Sequence, residues 1–418
     1  MKIRARYCFA LLKTRRIQEL FLYVIKRGEI LPVTAEKNKT AKQSETPVNE
    51  NPWTFWKRVA VVAFVFFAII NAGLFQLDNV KRSSPANLWH GTGSIDLAVN
   101  DFKAFQHKPT VVLLGSSLMM FPFWSMDKGK DPAHVGDIFH HHGSAALEET
   151  MTTAGFTDPH VFSFAIFGQM VSDAFIYVNE YLQGDKKPEY LVYGIAPRDF
   201  NDSDLSSPMA TNTFKRLVNL NNLGPYANLY LPGLNDKLDF VISHLCYFYS
   251  HRWRLQQDFG KFVERIYVQT GVHEPEKKLD FSNAGFMMFG GFNERWESSE
   301  KEYTRRYKNI DQRDLSVQMG FLKRLLQVSR ERGIKVIVVN MPLSEINRKL
   351  LPPGFYQRFR GEIGKIVAQE QGVRYVDIGD SSDFTRWDFW DTAHLGPAGG
   401  EKVMAHVVPV LKEMQSEK

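Results

Sequence analysis

The chain has 418 residues, 44% hydrophobic and 23% charged. This is globular composition with core formers for two or three domains. Two cysteines, Cys8 and Cys246, exclude a disulfide scaffold and a Cys-rich zinc module. The net charge of +6 is local: residues 1–58 hold 13 Lys/Arg against 5 Asp/Glu, leaving 39 against 41 in the remainder, which is not the charge map of a nucleic-acid binder.

In chain order, residues 1–58 read as a basic arm. Ile17, Leu20, Phe21, Val24 and Ile25 fall at helical spacing beside Arg15, Arg16, Lys26 and Arg27. That pattern fits an amphipathic helix on an anionic membrane surface and equally a frayed cytoplasmic tail. Residues 31–52 are polar and read as linker. Residues 59–77 form an uncharged run with Asn71 and Gln76 as its polar interruptions. At ~1.5 Å per residue the run covers ~28 Å, enough for one transmembrane helix. It starts too late for a cleaved signal peptide. Lys39, Lys42, Lys57 and Arg58 on one side outnumber Lys81 and Arg82 on the other. This bias predicts a cytoplasmic N-terminus and a body outside the inner membrane, in the periplasm or beyond.

After a stem at 78–106, short apolar runs recur at 110–114, 160–167, 190–195, 334–340 and 373–378, most of them closed by Gly or Pro. Such runs predict buried parallel strands. Helical patterns at 144–154, 170–183, 314–332, 355–370 and 397–414 lie between them. The alternation predicts an α/β domain with a doubly wound parallel sheet, built from 107–205 and 314–418. Ligands of such sheets gather beyond the C-terminal strand ends. The gap between the third and fourth strands is too long for a simple crossover, so 206–313 reads as an insertion. It holds 18 aromatics, which suit either a core of its own or a lid touching sugar or acyl chains.

No G-x-S-x-G elbow, phosphate loop or H-E-x-x-H is present. Gly115-Ser116-Ser117-Leu118 follows the first strand, and Asp391-Thr392-Ala393-His394 precedes the last helix. A serine nucleophile needs a base in reach, and the base needs an orienting carboxylate; a D-x-x-H loop can supply both. Taken singly, Ser117 and Asp391 are also good capping residues and His394 an ordinary polar side chain. His134, His140, His141 and His142 cluster in sequence, but no Cys or carboxylate set completes a metal site, so no metal or other cofactor is expected. Asn201-Asp202-Ser203 fits an N-glycosylation acceptor, relevant only on a eukaryotic secretory route.

These blocks, in this order, resemble the SGNH/GDSL hydrolase superfamily. Gly115-Ser116-Ser117-Leu118 is similar to its G-D-S-L block, with Ser116 at the acidic position and Ser117 at the nucleophile. Asp391 and His394 match its last block. Gly168 resembles the second-block glycine whose N–H serves the oxyanion hole. The third block departs: Gly194-Ile195-Ala196-Pro197-Arg198-Asp199 carries Ala196 at the oxyanion asparagine, leaving Arg198, Asn201 or backbone groups for that role. The resemblance implies a flavodoxin-like three-layer αβα fold. A span followed by such a domain, with Met341-Pro342-Leu343-Ser344, is similar to the membrane-anchored proteins of alginate O-acetylation and teichoic-acid D-alanylation. The implied function is a serine acyl esterase or O-acyltransferase, O-acetyl in kind, acting on an exported or envelope polysaccharide beside a multi-spanning membrane O-acyltransferase. The alternative is a non-catalytic scaffold of such a complex.

Overall fold

The computed structural model describes residues 52–81, 93–203, 205, 207–270, 291–310 and 312–417. The basic arm at 1–51, with its surface-helix reading, residues 82–92 of the stem and 271–290 of the insertion lie outside the described residues. The chain divides into two units, Met1–Phe64 and Val65–Lys418, the first described only from residue 52. The helix Pro52–Lys81 runs across their boundary and contains one stretch, Trp56–Leu77, long and apolar enough to cross a membrane.

The second unit is α/β. Five strands, β1 (Val111–Gly115), β2 (Val161–Ser163), β3 (Tyr190–Ile195), β4 (Lys335–Asn340) and β5 (Val373–Asp377), form one parallel sheet. Their spatial order is β2-β1-β3-β4-β5, a doubly wound order whose topological switch lies at β1 and β3. Every residue of β1, β2 and β3 is buried, so both faces of the inner sheet are covered. The helices Ser117–Lys130, Ala145–Thr153 and Pro397–Ser416 pack on one another, as do Val171–Tyr181 and Gln312–Glu331.

Four strands match the sequence expectation within a residue or so. The second is shorter, Val161–Ser163: the Ser163 hydroxyl accepts from Ala165 N–H at 3.2 Å, while Phe164 and Ile166 N–H still donate to Leu113 O and Gly115 O of β1. The helix Ser117–Lys130 has no apolar stripe in sequence. It is buried on all sides from Leu118 to Asp127, so no amphipathic period marks it. Part of the expected stem, Gly93–Ala104, is a helix with Ile95, Ala98, Val99 and Phe102 in the core.

The two ends of the insertion pack on the body. Tyr230 donates its hydroxyl to Ser172 O at 2.5 Å and lies tilted against Phe321, centroids 4.7 Å apart. Trp296, Tyr303 and Tyr307 of the helix Phe292–Arg306 and its end are also buried. Between these ends the helices Leu234–Leu245, Tyr247–Ser250 and Arg252–Gln269 carry an outward apolar face.

Candidate active site

The loop after β1 begins at Gly115, whose φ of +145° favours glycine. A Cβ there would lie 2.6 Å from Gly194 O, its register partner on β3. The close approach of β1 and β3 brings the start of the next helix to the switch point. Ser116 is the N-cap of that helix but makes no side-chain cap bond. Ser117 is the first helical residue, and between Val111 and Asp127 it alone is not buried. Its hydroxyl is spent on His394, not on a helix amide: Oγ lies 2.8 Å from His394 Nε2.

His394 is held from behind. Its Nδ1 is 2.8 Å from Asp391 Oδ2, and the other carboxylate oxygen accepts from the backbone N–H of Ala393 (2.8 Å) and His394 (2.9 Å). Burial by itself raises the Asp391 pKa, but the facing imidazole and these hydrogen bonds outweigh it and hold the carboxyl below its ordinary value. The Phe121 ring lies 4.7 Å from the imidazole. The loop closes as a hairpin, Phe389 bridging Leu395 and Trp390 N–H donating to His394 O at 2.7 Å.

Positioning residues outside the short motifs are absent from the sequence reading. Thr392 is fully buried between the acid and the base. Its carbonyl accepts from the Ser344 hydroxyl at 2.6 Å, and its hydroxyl meets Asn347 Nδ2 at 3.1 Å and Ser299 Oγ at 2.6 Å. Ser344 follows β4, and Ser299 belongs to the insertion. Two remote stretches, 344–347 and the insertion helix at Ser299, thus clamp one residue of the D-x-x-H loop. The sequence signal available for this was Ser344 in the Met341–Ser344 stretch; Ser299 gives none.

Gly168 lies in the loop after β2 with φ +72°. Gln169 ties that loop to β1, its Oε1 accepting from Gly115 N–H at 3.0 Å and its Nε2 donating to Phe164 O at 2.8 Å. Arg198 packs over Gly168, its Nη2 3.2 Å from where a Cβ would stand. The guanidinium is buried, which opposes its charge, but Asp202 and Asp199 keep it protonated. Nη2 donates to Asp202 at 2.8 Å, whereas Nη1 faces Asp199 at 3.6 Å without a hydrogen bond. Asn201 is buried elsewhere: its Nδ2 reaches Asn309 O at 3.4 Å, where the chain leaves the insertion. Of the third-block candidates, Arg198 is therefore the one placed against Gly168.

The histidines of 134–142 do not converge. His134 pairs with Asp131, His140 with Asp137 and His141 with Asp127, while His142 meets Ser163 O. Among the described residues no group of three His, Cys, Asp or Glu side chains is placed to hold a metal ion. A scan against protein-family models gives no match to the chain, and a search of curated proteins gives none either. The α/β class and the site geometry rest on this chain's own residues.

Proposed function

We propose that the chain is a membrane-anchored serine acyl esterase or O-acyltransferase of SGNH type, acting on an exported or envelope polysaccharide. The observation that carries the reading is the hydrogen-bonded series Ser117–His394–Asp391, at the C-terminal end of β1 beside the topological switch.

In this reading Ser117 Oγ attacks the acyl carbonyl carbon and His394 Nε2 takes the hydroxyl proton. Asp391 stays ionised, fixing the tautomer that leaves Nε2 free and stabilising the imidazolium. The oxyanion faces the N-terminus of the helix Ser117–Lys130 and the Gly168 N–H, with the Arg198 charge behind Gly168. Collapse breaks the bond to the leaving oxygen or sulfur, which takes the proton back from His394. Water or a sugar hydroxyl then gives its proton to His394 and attacks the acyl-serine carbon; the C–Oγ bond breaks, His394 returns the proton to Ser117 Oγ, and acid or new ester leaves. Polysaccharide as acceptor, a multi-spanning O-acyltransferase as partner and an extracytoplasmic body come from the resemblance and from the apolar helix. Trp387, exposed and stacked on Phe292 at 5.4 Å four residues before Asp391, is a surface suited to a sugar ring.

A serine-reactive fluorophosphonate tests the reading. Wild type and Ser116→Ala label, and Ser117→Ala does not. Equal labelling of wild type and Ser117→Ala, or no labelling of folded wild type, overturns it in favour of the scaffold. A reporter fused after Lys418 tests the topology: activity in the exported compartment is expected, and cytoplasmic activity removes the envelope substrate.

A further inference from the structure

We propose that residues 234–269 form an amphipathic hairpin lying in the headgroup–acyl boundary of the bilayer, beside the C-terminal part of the apolar helix. The proposal rests on the reading of Trp56–Leu77 as a membrane span. It gives the body a second hold on the membrane, one that restrains how the strand ends face the surface.

The first observation is where apolar side chains meet solvent. Among the described residues beyond Leu77, thirteen large apolar side chains are exposed; twelve lie between Leu220 and Ile266, and the other is Trp387. On the helix Leu234–Leu245 the exposed set is Leu234, Leu238, Val241, Ile242 and Leu245, a single stripe at helical spacing. Phe240 turns the other way, into the core against Phe214. On Arg252–Gln269 the stripe repeats as Leu255, Phe259, Phe262 and Ile266, with Asp258, Lys261, Glu264 and Arg265 at the polar positions. Both helices present outward the face that a water-soluble helix buries.

The second observation says what covers that face. The helix breaks at Cys246, with φ −121° and ψ 106°. The break is closed by Asn71, from inside the apolar helix. Asn71 Nδ2 donates to Leu245 O at 2.7 Å, and Tyr247 N–H donates to Asn71 Oδ1 at 2.6 Å. Phe75 meets Tyr247 edge-on at 5.3 Å, and Phe67 lies 5.9 Å from Phe248. A polar residue in a span is costly unless paired, and backbone groups out of water must be satisfied within the protein. Asn71 and the break answer both needs at once.

Depth agrees. Asn71 lies six residues before Leu77, the end of the apolar stretch, or ~9 Å along a helix. Interfacial helices sink ~5–10 Å below the headgroups. The outward stripes lie on helices joined at the break to the span, whose Ile69 and Ile70 are also exposed. Lipid is therefore the occupant.

The test uses the full chain with Cys8→Ser and Cys246→Ser, reconstituted in phosphatidylcholine–phosphatidylglycerol vesicles. Single Leu238→Cys, Phe259→Cys, Phe66→Cys and Trp387→Cys variants carry an environment-sensitive fluorophore, and circular dichroism checks each fold. Spin-labelled lipid should quench the labels at 238 and 259 at least two-fold, as at 66, and leave 387 unchanged. Labels at 238 and 259 that behave like 387 while 66 is quenched overturn the hairpin and leave the span standing. Absence of quenching at 66 as well removes the span and the proposal with it. Labels at 238 and 259 that are blue-shifted but unquenched, with the chain dimeric, assign the face to a second copy and overturn lipid docking.

Discussion

The strand ends around Ser117 and the hairpin at 234–269 treat water in opposite ways. At the first, polar groups turn inward: Asp391, Thr392, His394, Ser344 and Asn347 are all buried, and each is hydrogen-bonded. At the second, leucines and phenylalanines turn outward, and a polar side chain, Asn71, closes the break between helices. An apolar side chain left in water forgoes about 1.5–3 kcal/mol of burial, and a buried polar group left unpaired costs about 1–3 kcal/mol. The first arrangement satisfies its buried polar groups within the protein, and the second leaves apolar surface for the proposed lipid contact. The insertion, expected to form a core of its own or a lid, is thus two things, a wall of the body at its ends and an outward apolar segment in its middle.

The strongest way to break this contrast is to remove the base. His394→Ala should lower acyl transfer by at least ~10³-fold, and Ser117→Ala/His394→Ala should be little worse than Ser117→Ala, since residues acting as one unit do not add. Acyl content of polymer from matched strains, or turnover of a model ester, reads this out. Wild-type activity in His394→Ala would reduce the inward-turned network to structure alone.

Asn71→Leu attacks the other region. It leaves the Leu245 carbonyl and Tyr247 amide unpaired, at a cost of about 1–3 kcal/mol for each group. Backbone amides of 234–250 should exchange at least ~10-fold faster in vesicles, while those of β1 and β3 stay as in wild type. Unchanged exchange would mean that Asn71 does not hold the hairpin.

A pH experiment sharpens the picture of the body. Asp173 is buried, and loss of hydration pushes its carboxyl from 3.8 up to about 6. The folded chain therefore holds this proton more tightly than the unfolded one. The stability from Asp173 is complete below pH ~4 and is lost as pH rises through about 6. Relative to Asp173→Asn, wild type should lose roughly 2–3 kcal/mol between pH 4 and 7, measured by urea unfolding. A parallel pH dependence of the two proteins would show that Asp173 titrates normally.

The smallest effect tests the clamp on Thr392. Ser344→Ala removes one donor from a buried carbonyl and should cost about 1 kcal/mol in stability. If the clamp positions His394, kcat falls several-fold with KM nearly unchanged; a loss of stability alone would make Ser344 structural.

How much of this was legible beforehand follows from the range of each interaction. Short β-branched runs closed by Gly or Pro announce buried strands locally, so the strands were readable, except that β2 is shorter than its apolar run. The helix Ser117–Lys130, anticipated only through Ser117 as a capping residue, left no periodic pattern, because a helix buried on all sides has no amphipathic period. Ser117, Asp391 and His394 could be named from motif order, since each sits at a strand or helix boundary whose chemistry is local. Their union across 277 residues is a property of the fold.

The sequence by itself determined the apolar helix, the alternating strands and helices, and the residue types at the β1 and D-x-x-H corners, because propensity, periodicity and turn chemistry act over a few neighbours. Tertiary structure alone decided that Arg198 rather than Asn201 stands over Gly168, that Ser299 and Ser344 reach the same threonine, and that Asn71 spans a helix break far along the chain. Each of those depends on side-chain direction after packing, and hydrogen-bond partners distant in sequence leave no pattern in either partner's own neighbourhood.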